Sequence, residues 1–195
     1  MKQGGTANHT LGALWTLPNI LTLIRIVLIP FFLILLLNGL YPFSLGVFAL
    51  CGLTDAFDGV LARRTKQGTR LGSYLDPLAD KLLIVSCYLA LSSMETVPVW
   101  LTVLVLSRDL IILLGYGALF LSMEEKMDVQ PSRIGKLNTG LQIATVALVL
   151  TQLSGAPIHP LLPFCFVLTA GVTAISGIHY IYRGVLWFQH KTKYP

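Results

Sequence analysis

The chain has 195 residues, 54% hydrophobic and only 12% charged, with a formal net charge of +5 and a mean hydropathy of +0.73. Soluble domains carry roughly 25% charged residues, so this composition excludes an ordinary soluble enzyme and indicates an integral membrane protein. No nucleic-acid partner is expected.

A membrane-spanning helix needs ~20 mostly apolar residues. Ahead of the first such run, Leu11–Leu17 contains Trp15 and leads into Pro18-Asn19. It reads either as an interfacial helix on the inner leaflet, with Trp15 at headgroup depth, or as a simple ordered lead-in. Six predicted spans follow: Ile20–Leu37, Pro42–Leu61, Leu75–Ser92, Val97–Leu121, Leu137–Leu153 and Leu161–Val185. The first starts too late and runs too long for a cleaved signal peptide. The six leave no room for a soluble domain, so residues 1–195 read as one all-α membrane bundle.

Charge is distributed unevenly along the chain. The link after the second span contains Arg63, Arg64, Lys66 and Arg70, and that after the fourth contains Lys126, Arg133 and Lys136. The C-terminus adds Arg183, Lys191 and Lys193, and Gln189–Pro195 reads as a solvated basic end near anionic headgroups. Residues 38–41, 93–96 and 154–160 contain no Lys or Arg. This alternation predicts a multi-pass protein with both termini, and the 63–70 segment, on the cytoplasmic side. Cys51, Cys87 and Cys165 lie in separate spans without metal-ligand spacing and read as packing residues.

Against this apolar background stands TDAFDGVLARRTKQGTRLGSYLDPLADK. Asp55 and Asp58 are spaced i, i+3 on the second helix, and Asp76 and Asp80 are spaced i, i+4 on the third. Each spacing puts its pair on one helical face, and a short link makes the two helices antiparallel neighbours. Four carboxylates so gathered repel one another, and an intramembrane acid costs about 2.5–3.5 kcal/mol even on a lenient scale. Divalent cations, nearby arginines or protonation would compensate. Ligation by aspartates alone suits Mg²⁺ or Mn²⁺ rather than zinc, and paired metals of this kind serve phosphoryl chemistry. Gly59, Ala62 and Gly72 would let a substrate lie close to the backbone. Arg63 offers a planar fork of donors for phosphate, and Thr69 adds a hydroxyl.

The arrangement Asp55-x2-Asp58-Gly59-x2-Ala62-Arg63-x8-Gly72-x3-Asp76-x3-Asp80 resembles the CDP-alcohol phosphotransferase signature at every fixed position. That resemblance implies transfer of a phosphatidyl group from CDP-diacylglycerol to an alcohol, with release of CMP. It implies that Asp55, Asp58, Asp76 and Asp80 hold two divalent cations, and that Asp80 is the base for the attacking hydroxyl. Gly59, Ala62, Arg63, Thr69 and Gly72 would line the CDP site. Family members often form homodimers.

The remaining polar residues bear on the acceptor. Asn19, Thr22 and Arg25 share a face of the first helix, where Arg25 should turn inward and pair with an anion. The Pro-Asn-x2-Thr-x2-Arg stretch resembles the start of phosphatidylglycerophosphate synthases, in which the Asn and Thr lie near the CDP-lipid. Arg108-Asp109 in the fourth span reads either as a self-neutralising pair or as an anion site. Arg133 and Lys136 either follow the positive-inside rule or, with Arg25 and Arg108, grip an acceptor phosphate. Among these readings glycerol-3-phosphate is the expected acceptor. SRDLIIL and GKLNTGLQI also resemble cardiolipin synthases of the same fold, which use phosphatidylglycerol. Inositol phosphate, serine or another polyol is a more distant option.

Outside the family, a cation transporter would also place intramembrane acids at an ion site, but it has no use for Arg63 or a Gly-Ala surface. A prenyltransferase holds Mg²⁺-diphosphate on helical aspartates, yet resembles longer chains with two separate Asp-rich motifs. His9, His159, His179 and His190 are scattered.

Overall fold

The computed structural model describes the backbone of residues 17–65, 72–122 and 133–193, and side chains at 20, 22–54, 79–115 and 134–184. Every regular element among the described residues is helical. In order they are α1 (Leu17–Leu37), α2 (Tyr41–Thr65), α3 (Gly72–Ser93), α4 (Val99–Ser122), α5 (Arg133–Leu153), a 3-10 turn at His159–Leu161 and α6 (Leu162–Lys193). Each α-helix takes in one of the six predicted apolar runs, except that residues 97–98 precede α4 and Leu161 precedes α6. Residues 11–16 of the proposed interfacial stretch lie outside the described residues.

Two helices run several residues past the C-terminal ends expected from the sequence. α2 continues past Leu61 to Thr65, so Arg63 and Arg64 stand on its last turn and not in the link. Cations there complement the partial negative charge of a helix C-terminus. α6 continues past Val185 to Lys193, so most of the tail expected as a solvated end is helical. Hydropathy marks the part of a helix that suits hydrocarbon, not the point where its backbone hydrogen bonds stop. Among the residues with described side chains, Ile134–Leu153 and His159–Gly184 are long and apolar enough to cross a bilayer, and Thr22–Leu37 and Tyr41–Thr54 are the apolar stretches of α1 and α2.

α1, α3 and α5 end alike. Leu40 N–H donates to Leu35 and Gly39 N–H to Leu36, with Gly39 at φ +76°. Ala156 and Gly155 repeat the pattern on Thr151 and Gln152, with Gly155 at φ +103°. These are Schellman caps, which place a left-handed residue just past the helix to satisfy its last carbonyls. Thr96 and Glu95 make the same pair of bonds to Leu91 and Ser92, but Glu95 holds the left-handed position at φ 58° without being glycine. The three turns fall in the links that contain no Lys or Arg.

The chain divides into two compact units, Met1–Ala90 with Leu150–Ala156, and Leu91–Val149 with Pro157–Pro195. In the first, α1 buries Thr22, Arg25, Ile29, Phe32 and Leu36. Their spacing of three and four residues makes one stripe. α1 packs along α2, where the Phe32 and Phe48 rings meet at 6.1 Å in a tilted pair, within the favourable aromatic range. Leu23, Val27, Phe31 and Ile34 face outward, as suits a lipid-facing side. Cys51 and Cys87 are buried and free, and Cys165 is partly buried and free, in keeping with packing roles.

The second unit adds interhelical polar contacts to an apolar core that includes Leu101, Val105, Val146 and Phe166. α5 buries Asn138, Gln142 and Thr145, and α6 buries Thr169, Thr173 and Ser176. The Thr145 and Thr169 hydroxyls share a 2.7 Å hydrogen bond, and the Thr173 hydroxyl donates to Asn138 Oδ1 at 2.7 Å. In lipid an apolar face gains little by leaving hydrocarbon for protein, so small residues and interhelical hydrogen bonds take over the work of association. α4 also packs closely on α6: a Cβ added at Gly115 would stand 3.1 Å from the Tyr180 ring. Thr173→Val keeps the shape and removes the donor to Asn138. It is expected to cost about 0.6–1.7 kcal/mol, read as a lower unfolding midpoint in detergent, whereas Thr173→Ser should stay near the parent.

Candidate active site

The bipartite acidic motif maps onto the end of α2 and the start of α3. Asp55, Asp58, Gly59, Ala62 and Arg63 lie on helical backbone before Thr65, and Gly72, Asp76 and Asp80 lie on the opening turns of α3. Helical backbone at these positions puts Asp55 with Asp58, and Asp76 with Asp80, on common faces. Residues 66–71, including Thr69, lie outside the described residues. Six residues span at most about 20 Å, which bounds the distance between the end of α2 and the start of α3. The first N–H groups of any α-helix lack intrahelical partners and stand at the positive end of its dipole, so the start of α3 is a setting that favours carboxylate and phosphate charge.

Asp80 is the motif aspartate whose side chain is described. Its side chain is 39% exposed, and its Oδ1 accepts a hydrogen bond from Arg25 Nη1 across from α1. Arg25 is 1% exposed. It shares the α1 stripe with Thr22, which is fully buried. The inward-turned, anion-paired Arg25 expected from the sequence is therefore present, and its partner is the last aspartate of the motif. The side chains of Asn19, Asp55, Asp58, Ala62, Arg63 and Asp76 lie outside the described residues. Four aspartates without Cys or His form a donor set that fits hard divalent cations. Asp80, half-open to solvent, is accessible to one.

In the second unit, Arg108 and Asp109 are both 7% exposed. Arg108 donates to Asp109 at 2.6 Å and through its other terminal nitrogen to Ser176 at 2.8 Å. The self-neutralising pair foreseen for these two residues is present, with an added tie from α4 to α6. Arg108 Nε and Asn138 Nδ2 are buried donors without a hydrogen-bond acceptor among the described residues. Lys136 is exposed on the first turns of α5, and Arg133 opens that helix. Sequence reasoning missed Thr145, Thr169, Thr173 and Ser176. Their signal was available as polar residues at helical spacing along otherwise apolar helices.

Comparison with known proteins bears on this geometry. A family model described as CDP-alcohol phosphatidyltransferase matches residues 15–179. The chain is 37% identical over 175 residues to a probable phosphatidylglycerophosphate synthase of Mycobacterium tuberculosis, covering 87% of this chain and 81% of that protein. It is 35% identical over 187 residues to a probable cardiolipin synthase (CMP-forming) of Drosophila melanogaster, covering 85% of this chain but only 56% of that protein. To a CDP-diacylglycerol–glycerol-3-phosphate 3-phosphatidyltransferase of Bacillus subtilis it is 31% identical over 161 residues, covering 70% of this chain and 77% of that protein. Relatives named as phosphatidylglycerophosphate synthase and as cardiolipin synthase thus match at similar identity.

Proposed function

The chain belongs to the CDP-alcohol phosphatidyltransferase family, and we propose that it transfers the phosphatidyl group of CDP-diacylglycerol to glycerol-3-phosphate, forming phosphatidylglycerophosphate and CMP. The observation that carries this reading is the complete aspartate signature, Asp55 to Asp80, lying on the last turns of α2 and the first turns of α3. The whole chain acts as one membrane domain of six spans. Both termini and the motif lie on the cytoplasmic side, because Lys and Arg gather at that end. Two copies form a homodimer.

Asp80 takes the proton of the acceptor hydroxyl. The freed oxygen attacks the β-phosphorus, a P–O bond forms to the acceptor, and the bond from that phosphorus to the CMP oxygen breaks. CMP leaves with the bonding electrons. Asp55, Asp58, Asp76 and Asp80 would hold two divalent cations, Mg²⁺ or Mn²⁺, which when bound supply positive charge for the pyrophosphate oxygens and the departing CMP. Arg63 adds a fork of donors to the same phosphates. Gly59, Ala62 and Gly72 leave room for the nucleotide, Thr69 adds a hydroxyl, and Asn19 and Thr22 face the CDP-lipid from α1. Arg108, Arg133 and Lys136 bind the acceptor's phosphate.

A second reading, cardiolipin synthase with phosphatidylglycerol as acceptor, is favoured by one observation. Arg108 is already partnered by Asp109 and Ser176, so little of its charge is left for an acceptor, and a monoanionic phosphodiester needs less of it than a dianionic phosphate does. Purified protein with CDP-diacylglycerol and Mn²⁺, given each acceptor separately, decides between them. Phosphatidylglycerophosphate is the expected product, and CMP release with phosphatidylglycerol alone would select cardiolipin synthesis.

A further inference from the structure

The Arg25–Asp80 pair is lopsided. Arg25 is 1% exposed, whereas the Asp80 side chain is 39% exposed. The carboxylate can therefore be hydrated without Arg25, but a guanidinium in the apolar α1 stripe needs compensating negative charge. An arginine so placed is a costly way to join two helices. Its neighbours on the stripe, Ile29, Phe32 and Leu36, already supply apolar packing. What Arg25 adds is a fixed positive charge on the aspartate that closes the motif. A cation approaching Asp80 meets that charge as repulsion and must compete with it for the carboxylate.

We propose that Arg25 is the internal counter-ion of Asp80: it positions the carboxylate when the motif lacks a divalent cation and sets the affinity with which that cation binds. The proposal rests on the metal-dependent reading of the motif given above. It gives Arg25 a task at the aspartates instead of on the acceptor's phosphate, since one of its terminal nitrogens is committed to Asp80. Arg25 is a positioning residue, acting on the reaction through Asp80. A role confined to holding α1 against α3 would leave cation affinity unchanged or weaken it on removal. A counter-ion role does the opposite, because deleting a neighbouring like charge strengthens binding of the cation.

The test is a Mn²⁺ binding isotherm on the purified full chain, followed by the electron paramagnetic resonance of free Mn²⁺, with thermal unfolding as a check on the fold. Arg25→Gln and Arg25→Met are expected to bind Mn²⁺ about tenfold more tightly than the parent, and Arg25→Lys, which keeps the charge, to return most of the way to the parent affinity. Neutral variants that fold and bind Mn²⁺ no more tightly overturn the proposal. Neutral variants that fail to fold overturn it too, by making the pair a structural requirement. A parent chain that binds no Mn²⁺ at all sinks the metal-dependent reading itself, a result distinguishable from both.

Discussion

Asp80→Asn is expected to lower the rate of CMP release by about 10³-fold, the middle of the range for loss of a general base. The same substitution should lower stability, because buried Arg25 loses the negative charge of this partner. Breaking a buried pair from one side costs 3–5 kcal/mol, and the 39% exposure of Asp80 reduces this to about 2 kcal/mol. The two losses are separable. In Arg25→Gln/Asp80→Asn neither charge remains, so the unfolding midpoint should recover toward the parent while activity stays as low as in Asp80→Asn. Unfolding midpoints and initial rates on the three proteins check this. A double variant that regains activity along with stability would reduce Asp80 to a partner for Arg25 and remove it from the chemistry.

Arg108→Met is the second substitution with a large expected effect. Loss of a charged donor to a phosphate costs about 2–3 kcal/mol, or roughly 100-fold in kcat/KM for the acceptor. The change should appear mainly in the KM of the acceptor and leave that of CDP-diacylglycerol near the parent value. Asp109 is 7% exposed and loses an ion-pair partner in this variant, so Arg108→Met/Asp109→Leu provides the control. Replacing both members of a buried pair with apolar residues is often neutral or stabilising. The double variant should therefore fold well and still bind the acceptor poorly. Recovery of acceptor KM in it would make the pair a structural tie between α4 and α6 and leave Lys136 and Arg133 as the acceptor's cations.

Much of the fold was legible before any coordinates, because burial in lipid writes helices as long apolar runs. Gly39 and Gly155 carry the common mark of such a turn, a glycine just past a helix, but it was not read from the sequence. Glu95 does not, since a glutamate in the left-handed region has no compositional mark. α2 reaching Thr65 and α6 reaching Lys193 were missed for a physical reason: polar and basic residues lengthen a helix without lengthening its apolar part. The interhelical bonds Thr145–Thr169 and Thr173–Asn138 were hidden by averaging, because a few hydroxyls scarcely alter the hydropathy of a span. At the site, helical spacing was enough to pair Asp55 with Asp58 and Asp76 with Asp80. The cost of an arginine in hydrocarbon was enough to foresee that Arg25 must face an anion. Which anion required knowing how α1 lies against α3, and that is a tertiary fact: residues 25 and 80 are brought together by packing, not by spacing.

The measurement closest to the central claim is CMP release by the purified chain in detergent micelles, with CDP-diacylglycerol, an alcohol acceptor and the divalent cation each present or withheld. CMP should appear only when all three are supplied, with Mn²⁺ or Mg²⁺ and either glycerol-3-phosphate or phosphatidylglycerol, and EDTA should stop it. CMP release undiminished in EDTA, or none with either acceptor under saturating Mn²⁺, would contradict the assignment.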